Sequence, residues 1–244
     1  MSRTVRLTLF LVAAAGVGAL YLVAVLGMPA LGTNVHPYRD HAVAASVARS
    51  TANVVSSVNY DQRALDTLGE ETIVLGSVIG AAVLLRPTER EREHVVRDSD
   101  EVLPPVQLLG YLLLPVTLLV GANLVLHGQL TPGGGFQGGV VLGTAVHLLY
   151  LTGRYQALDR VRPLWVFTSG EAVGTAMFAV LGIAGVATGV GFLANVLPTG
   201  TWGALLSGGT VPLLSIAIGI EVASGVIVLL TKFLEQALRI EDEH

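Results

Sequence analysis

The sequence has no cysteine and few charged residues. Without cysteine, the chain can form no disulfide framework, no thiolate metal site and no cysteine nucleophile. Charged residues make up 13% of the 244 positions, whereas soluble domains contain about 25%. The motifs of phosphate-binding loops, zinc proteases and serine hydrolases are also missing. We therefore expect no catalytic residue, no cofactor and no metal site, and the chain is not predicted to be an enzyme.

Apolar residues take the place of the missing charge. They account for 52% of the chain, and the mean hydropathy is +0.67. This composition predicts an all-α integral membrane protein, in which each apolar stretch of about 20 residues crosses the bilayer as a helix. Six stretches qualify as spans, at 7–26, 72–85, 106–126, 136–151, 165–190 and 210–231.

Two segments near the N-terminus leave room for other interpretations. The stretch 7–26 follows two arginines, as a cleaved signal peptide would, but it is longer than the usual apolar region of about 7–15 residues. We therefore interpret it as a retained first span. The stretch 41–58 repeats valine at three- to four-residue spacing among polar residues. It predicts one amphipathic helix that lies on the membrane surface or against a partner.

The distribution of basic residues predicts the orientation of the six spans. With the N-terminus in the cytoplasm, eleven of the fourteen Lys and Arg residues lie on the cytoplasmic side. This asymmetry favours two cytoplasmic termini in a multi-pass protein of the cell membrane. It also places the loop before the fourth span on the outer side.

A glycine-rich stretch at 131–139 separates the third and fourth spans. Its members are Thr131, Pro132, Gly133, Gly134, Gly135, Phe136, Gln137, Gly138 and Gly139. Glycine permits backbone angles and close approaches that other residues do not, and small residues permit tight helix packing in a membrane. The stretch is either a flexible turn or, as we expect, a shaped loop docked against another helix or subunit.

Acidic residues crowd the start of the second span. Asp66, Glu70 and Glu71 lie within six positions of one another. Acidic side chains suit the N-terminus of a helix because they complement its dipole, so capping and solvation explain them in part. The alternative is that Glu70 or Glu71 faces a polar path used by cations or protons.

Glu221 and His147 are ionisable residues within predicted spans. Glu221 is in the middle of the last span, where a charged carboxylate costs about 2.5–3.5 kcal/mol. It must therefore be protonated or paired, either as a structural interface group or as part of an ion route. His147 in the fourth span is either a packing residue or a proton relay, since imidazole titrates near neutral pH.

Within residues 105–240 the glycine stretch comes after one span and before three. In this arrangement it resembles the B subunit of multisubunit Na⁺/H⁺ antiporters of the Mrp or Mnh type. The related subunit of membrane-bound hydrogenase complexes carries the same signature. The resemblance covers about residues 105–240 and depends mainly on the motif Pro-Gly-Gly-Gly-Phe-x-Gly-Gly.

The first part of the chain resembles a different module of the same complexes. Asn53, Asp61, Arg63 and the run Asp66-Thr67-Leu68-Gly69-Glu70 are similar to the C-terminal region of the A subunit. Relatives usually have an aromatic residue at the position of Gln62 and an apolar one at that of Glu71. The domain prediction is thus a two-span module at 1–85, a charged connector at 86–104, a four-span module at 105–240 and an acidic tail at 241–244.

The resemblance implies a membrane subunit of a monovalent cation/proton antiporter that works beside other membrane subunits, with Na⁺ and H⁺ as the transported ions. Asp66 and Glu70 are then ion-path candidates by motif, and Glu221 and His147 are candidates from membrane physics. Two alternatives remain open: a subunit of a redox-driven ion pump of the hydrogenase type, and a purely structural docking subunit. A stand-alone carrier is disfavoured because it would be expected to show paired broken helices in similar halves.

Overall fold

A computed structural model describes residues 3–28, 32, 34, 36–86, 102–161 and 164–240, with only the backbone described at 153–161, 164 and 235–240. All regular structure in these residues is helical. The helices are α1 (Arg3–Leu26), α2 (Pro37–Ala48), α3 (Val54–Ser57), a π-helical turn (Val58–Gln62), α4 (Ala64–Leu84), α5 (Pro104–Leu126), α6 (Gly135–Val161), α7 (Leu164–Ala187) and α8 (Val211–Ile240). The connector at 87–101 and the tail at 241–244 lie outside the described residues.

The chain forms two compact units, residues 1–40 and 41–244. The first contains α1, an uninterrupted apolar helix of 24 residues. At 1.5 Å per residue it is about 36 Å long, which is enough to cross the hydrocarbon core.

Helix α8 is the centre of the second unit. It contacts α4, α5, α6 and α7, and most of its side chains are buried. The core around it includes Tyr60 from the π-helical turn, Phe178 from α7, and Leu214 and Ile218 from α8 itself. Any polar group on the buried faces of α8 is therefore enclosed by other helices rather than by lipid.

The predicted all-α membrane architecture is confirmed. Among the described residues, α1, α4, α5, α7 and α8 are long and apolar enough to span a membrane. Helix α6 has 27 residues and a more polar composition. It continues ten residues beyond the predicted end at Leu151, because the polar segment that follows contains no proline before Pro163. The crossing by α6 and the cytoplasmic termini remain predictions.

The amphipathic helix predicted at 41–58 is divided in two. Helix α2 ends at Ala48, and Ser50 has a positive φ of 55°. Asn53 then begins α3, since its side-chain oxygen accepts from the backbone N–H groups of Val55 and Ser56. Valine spacing continues through this break and therefore could not reveal it.

Candidate functional site

The glycine stretch brings α6 against α8. Gly135, Gly139 and Gly143 are four residues apart and so share one face of α6. A Cβ atom on Gly139 would lie 2.8 Å from Cβ of Val222, and one on Gly143 would lie 2.8 Å from Cγ1 of Val226. The two helices therefore run parallel at a separation that only glycine allows.

The start of the loop is fixed by backbone conformation and by α5. Gly133 and Gly134 have φ values of +153° and +136°, a region that favours glycine. The N–H of Gly134 donates to the carbonyl of Leu124 at 3.0 Å. Gly138 faces α5, where an added Cβ would lie 2.8 Å from the carbonyl oxygen of Gly121. The stretch is thus a shaped loop that docks on helices of its own chain.

The two other members of the predicted docking surface differ in exposure. Phe136 is partly buried and packs against the core around α8, whereas Pro132 is exposed. Contact of this loop with another subunit remains a prediction.

The segment 53–60 packs against the glycine stretch at 131–139 and the turn just before it, which we together call the glycine loop. The side-chain amide of Asn53 donates to the carbonyls of Gly128 at 2.8 Å and Thr131 at 2.9 Å. The hydroxyl of Ser56 donates to the same Gly128 carbonyl at 2.6 Å. The hydroxyl of buried Tyr60 accepts from the N–H of Gly135 at 3.2 Å. These bonds connect the two predicted modules.

Three carboxyl groups are buried where α4, α7 and α8 meet. Glu71 and Glu221 are 0% exposed and Glu171 is 3% exposed. The side chains of Glu71 and Glu221 lie next to each other, and Thr175 of α7 lies beside Glu221. Both oxygens of Glu71, both of Glu221 and one of Glu171 have no hydrogen-bond partner among the described residues.

Close approach of α7 to α8 encloses these groups. A Cβ on Gly174 would lie 2.6 Å from the carbonyl oxygen of Ala217 and 2.7 Å from Cβ of Glu221. A buried ionised group without a partner is strongly unfavourable. The arrangement therefore requires bound protons, bound cations or water.

The carboxyl groups follow one another along α8. Gly225 is four residues beyond Glu221, about 6 Å along the helix. A Cβ on Gly225 would lie 3.5 Å from Oε1 of Glu171 and 3.1 Å from Cγ2 of Val78. Glu171 is thus roughly one turn further along α8 than the Glu71–Glu221 pair. We call these three residues the carboxyl ladder.

Tyr60 lies near the start of the carboxyl ladder. It is 1% exposed, and its hydroxyl accepts from the N–H of Gly135, which lies against Ile218, three residues before Glu221 on α8. Burial, with a smaller contribution from Glu71 and Glu70, raises the pKa of the Tyr60 phenol above its ordinary value. The phenol is therefore neutral and retains its proton.

The four predicted ion-path residues occupy different environments. Glu221 is in the carboxyl ladder, whereas Asp66 and Glu70 are exposed, with Asp66 paired to Arg63. His147 is four residues after Gly143 and so continues the face of α6 that meets α8. Its Nε2 atom is buried and has no partner among the described residues. Their roles in ion movement remain predictions.

Sequence reasoning named Glu71 only as an alternative to Glu70, and it did not select Glu171 as a site residue. Glu71 is next to Glu70, and only the helix phase decides which of the two is buried. Glu171 is near the beginning of a span, where an acidic residue is unremarkable in sequence. A search for every carboxylate within the predicted spans would have found Glu171 and Glu221, but not Glu71, which comes just before the span 72–85. No group of three His, Cys, Asp or Glu side chains in the described residues is arranged to hold a metal ion.

Comparisons with known proteins agree with this architecture. The family model for domains related to the MnhB subunit of the Na⁺/H⁺ antiporter matches residues 105–228, just over half of the chain. An uncharacterised protein of Methanocaldococcus jannaschii is 28% identical over 197 residues, which cover 71% of this chain and 73% of that protein.

Two solved structures are similar over most of the chain. One is a chain of the membrane-bound sulfane sulfur reductase, an archaeal respiratory membrane complex, with a TM-score of 0.71, 26% identity, and 94% of this chain and 98% of that chain covered. The other is a chain of the Mrp complex from a Dietzia species, with a TM-score of 0.66 and 22% identity. That likeness is one of fold, and it covers 95% of this chain but 26% of the Dietzia chain. The chain therefore belongs to the family of domains related to the MnhB subunit of Na⁺/H⁺ antiporters, and it is a multi-pass membrane subunit of that type.

Proposed function

We propose that this subunit lines part of the ion route of a Na⁺/H⁺ antiporter through its carboxyl ladder. The observation that carries the proposal is the burial of Glu71, Glu171 and Glu221 among three helices without hydrogen-bond partners in the described residues. Ionisable groups within spans are costly, and in transport proteins they mark ion pathways and proton relays. A purely structural role would not require three carboxyl groups to be buried together.

The order of the groups supports a route along α8. Tyr60 is followed by the Glu71–Glu221 pair and then by Glu171 about one turn further on. His147 continues along the neighbouring face of α6. In this proposal the protons or cations move between these groups, and no bond of a substrate is broken. We accordingly propose that the chain has no catalytic chemistry of its own.

The test is transport by the whole assembly with Glu221→Gln in this subunit. Glutamine keeps the shape of the side chain but can neither take up a proton nor carry the charge. We expect Na⁺-dependent proton movement in everted membrane vesicles to fall at least tenfold, while native gels show an unchanged assembly. Asp40→Asn is the matched control, because Asp40 is an exposed carboxylate that pairs with Arg39 and is not part of the carboxyl ladder. Full activity of Glu221→Gln would refute the ion-route proposal.

The two-module organisation is a second part of the proposal. We propose that residues 1–85 and 105–240 correspond to two neighbouring modules of antiporter complexes that are joined here in one chain. The bonds from Asn53, Ser56 and Tyr60 to the glycine loop support this, because they form a contact between the modules. Expression of the two parts as separate chains tests it, with co-purification expected.

A redox-driven ion pump is the alternative parent complex. The observation in its favour is the sulfane sulfur reductase chain, which matches this chain over 98% of its own length. Purification of the tagged subunit in mild detergent distinguishes the two. Co-purifying large membrane subunits without redox proteins support the antiporter, whereas iron–sulfur subunits support the redox-driven pump.

A further inference from the structure

The contact between Glu71 and Glu221 restricts the charge that the pair can hold. Both side chains are fully buried, and neither has an ion-pair partner among the described residues. Two adjacent carboxylates in a water-poor site cannot both stay ionised without a compensating positive charge. One proton or one monovalent cation satisfies this requirement and leaves the pair with one net negative charge.

Three further polar side chains of the described residues interact with the pair. They are Tyr60 from the π-helical turn and Glu171 and Thr175 from α7. None of these three is basic. Within the described residues, the positive charge must therefore come from a proton or from a cation that enters the site.

Thr175 supplies a fifth oxygen, beside the four carboxyl oxygens of Glu71 and Glu221. Its hydroxyl donates to the carbonyl of Glu171 at 3.1 Å. A hydroxyl has one hydrogen and two lone pairs, so the oxygen beside Glu221 remains able to accept a hydrogen bond or to coordinate a cation. The absence of a side chain at Gly174 allows this oxygen to approach α8.

We propose that Glu71, Glu221 and Thr175 form an exchange site that holds either one shared proton or one monovalent cation such as Na⁺. When the cation enters, the proton shared by the two carboxyl groups leaves, so the total charge of the site does not change. The inference depends on the proposed ion route and specifies the ligand within it. Glu71 is central to the site. Without it, Glu221 alone would offer a cation only two of the four carboxylate oxygens.

A carbodiimide that reacts with protonated carboxyl groups in apolar surroundings tests the site. The purified assembly is treated with dicyclohexylcarbodiimide in NaCl or in choline chloride at equal ionic strength, and the modified peptides are identified by mass spectrometry. We expect labelling at Glu71 or Glu221 in choline and at least a tenfold lower labelling rate in saturating NaCl. No labelling at either residue would overturn the shared proton, and equal labelling in both salts would overturn the cation.

The variant Thr175→Val tests cation binding by the site separately from its protonation. Valine has nearly the same shape but no oxygen, so labelling in choline should persist while the Na⁺ concentration needed for protection rises at least tenfold. Thr144→Val is the control, because Thr144 also donates to the carbonyl four residues earlier but is exposed on α6. Unchanged protection in Thr175→Val would remove this residue from the site.

Two outcomes distinguish this inference from the proposed function. If Glu221→Gln abolishes transport but Na⁺ does not protect the wild-type pair, the ion route stands and the exchange site is wrong. If Na⁺ protects the pair but Glu221→Gln transports normally, the site binds a cation and the proposed function is wrong.

Discussion

Replacement of Gly135 by alanine tests whether close contact between α6 and α8 holds the site together. An added Cβ would clash with the carbonyl oxygen of Ser215 and lie 2.7 Å from Cβ of Ile218. One obstacle is backbone and the other belongs to a fully buried residue, so neither can easily move. Overpacking of this kind costs about 1–3 kcal/mol.

Gly135 suits this test because its φ is not positive, so alanine introduces crowding without backbone strain. The measurement is the thermal unfolding midpoint of the purified protein, and we expect Gly135→Ala to lower it by several degrees. Gly76→Ala on α4 is the control, since no atom lies within 4 Å of its added Cβ. Alanine there should be neutral or stabilise the helix by up to about 1 kcal/mol. Equal midpoints for the two variants would refute the close-packing argument.

Three further changes test the contacts around the glycine loop. Asn53→Ala removes two bonds to the loop and the cap of α3, so a loss of about 2–4 kcal/mol should appear as faster proteolysis between residues 48 and 60. Tyr60→Phe leaves the buried N–H of Gly135 without its acceptor, and a destabilisation of about 1–3 kcal/mol is expected in thermal unfolding. Asp66→Asn breaks an exposed ion pair and should change stability by less than about 1 kcal/mol; a larger effect would mean that a partner covers this surface.

A substitution in the loop also tests assembly. Gly134 has a positive φ, and its added Cβ would lie 3.3 Å from the hydroxyl of Tyr60. Gly134→Leu should therefore displace the segment 53–60 and reduce the amount of intact complex on native gels. Normal assembly with normal transport would show that the loop tolerates a large side chain.

Hydropathy and the glycine motif were sufficient to predict the membrane class and the family. Both signals depend on local composition. The apolar stretch 7–26 and the motif at 132–139 can be interpreted without knowing which residues pack against them. The break between α2 and α3 depends on the backbone angle of Ser50 and on Asn53 as a cap, which apolar spacing does not record.

The carboxyl ladder could not be predicted from the sequence, because its members come from three distant parts of the chain. Glu221 could be selected alone, since it lies at the middle of a long apolar run. Whether Glu70 or Glu71 faces inward depends on the rotation of α4 against α8, and the approach of Glu171 depends on Gly174. These are properties of helix packing that appear only when the helices are together.

Transport by an assembly with Glu171→Gln is the most direct test of the carboxyl ladder, because only the structure identifies this residue as part of it. The complex is purified, reconstituted into proteoliposomes and challenged with a Na⁺ gradient while internal pH is recorded. Our account predicts at least a tenfold loss of Na⁺-driven proton movement in an intact complex. Wild-type rates from this variant would contradict the account and leave the buried carboxyl groups with a structural role.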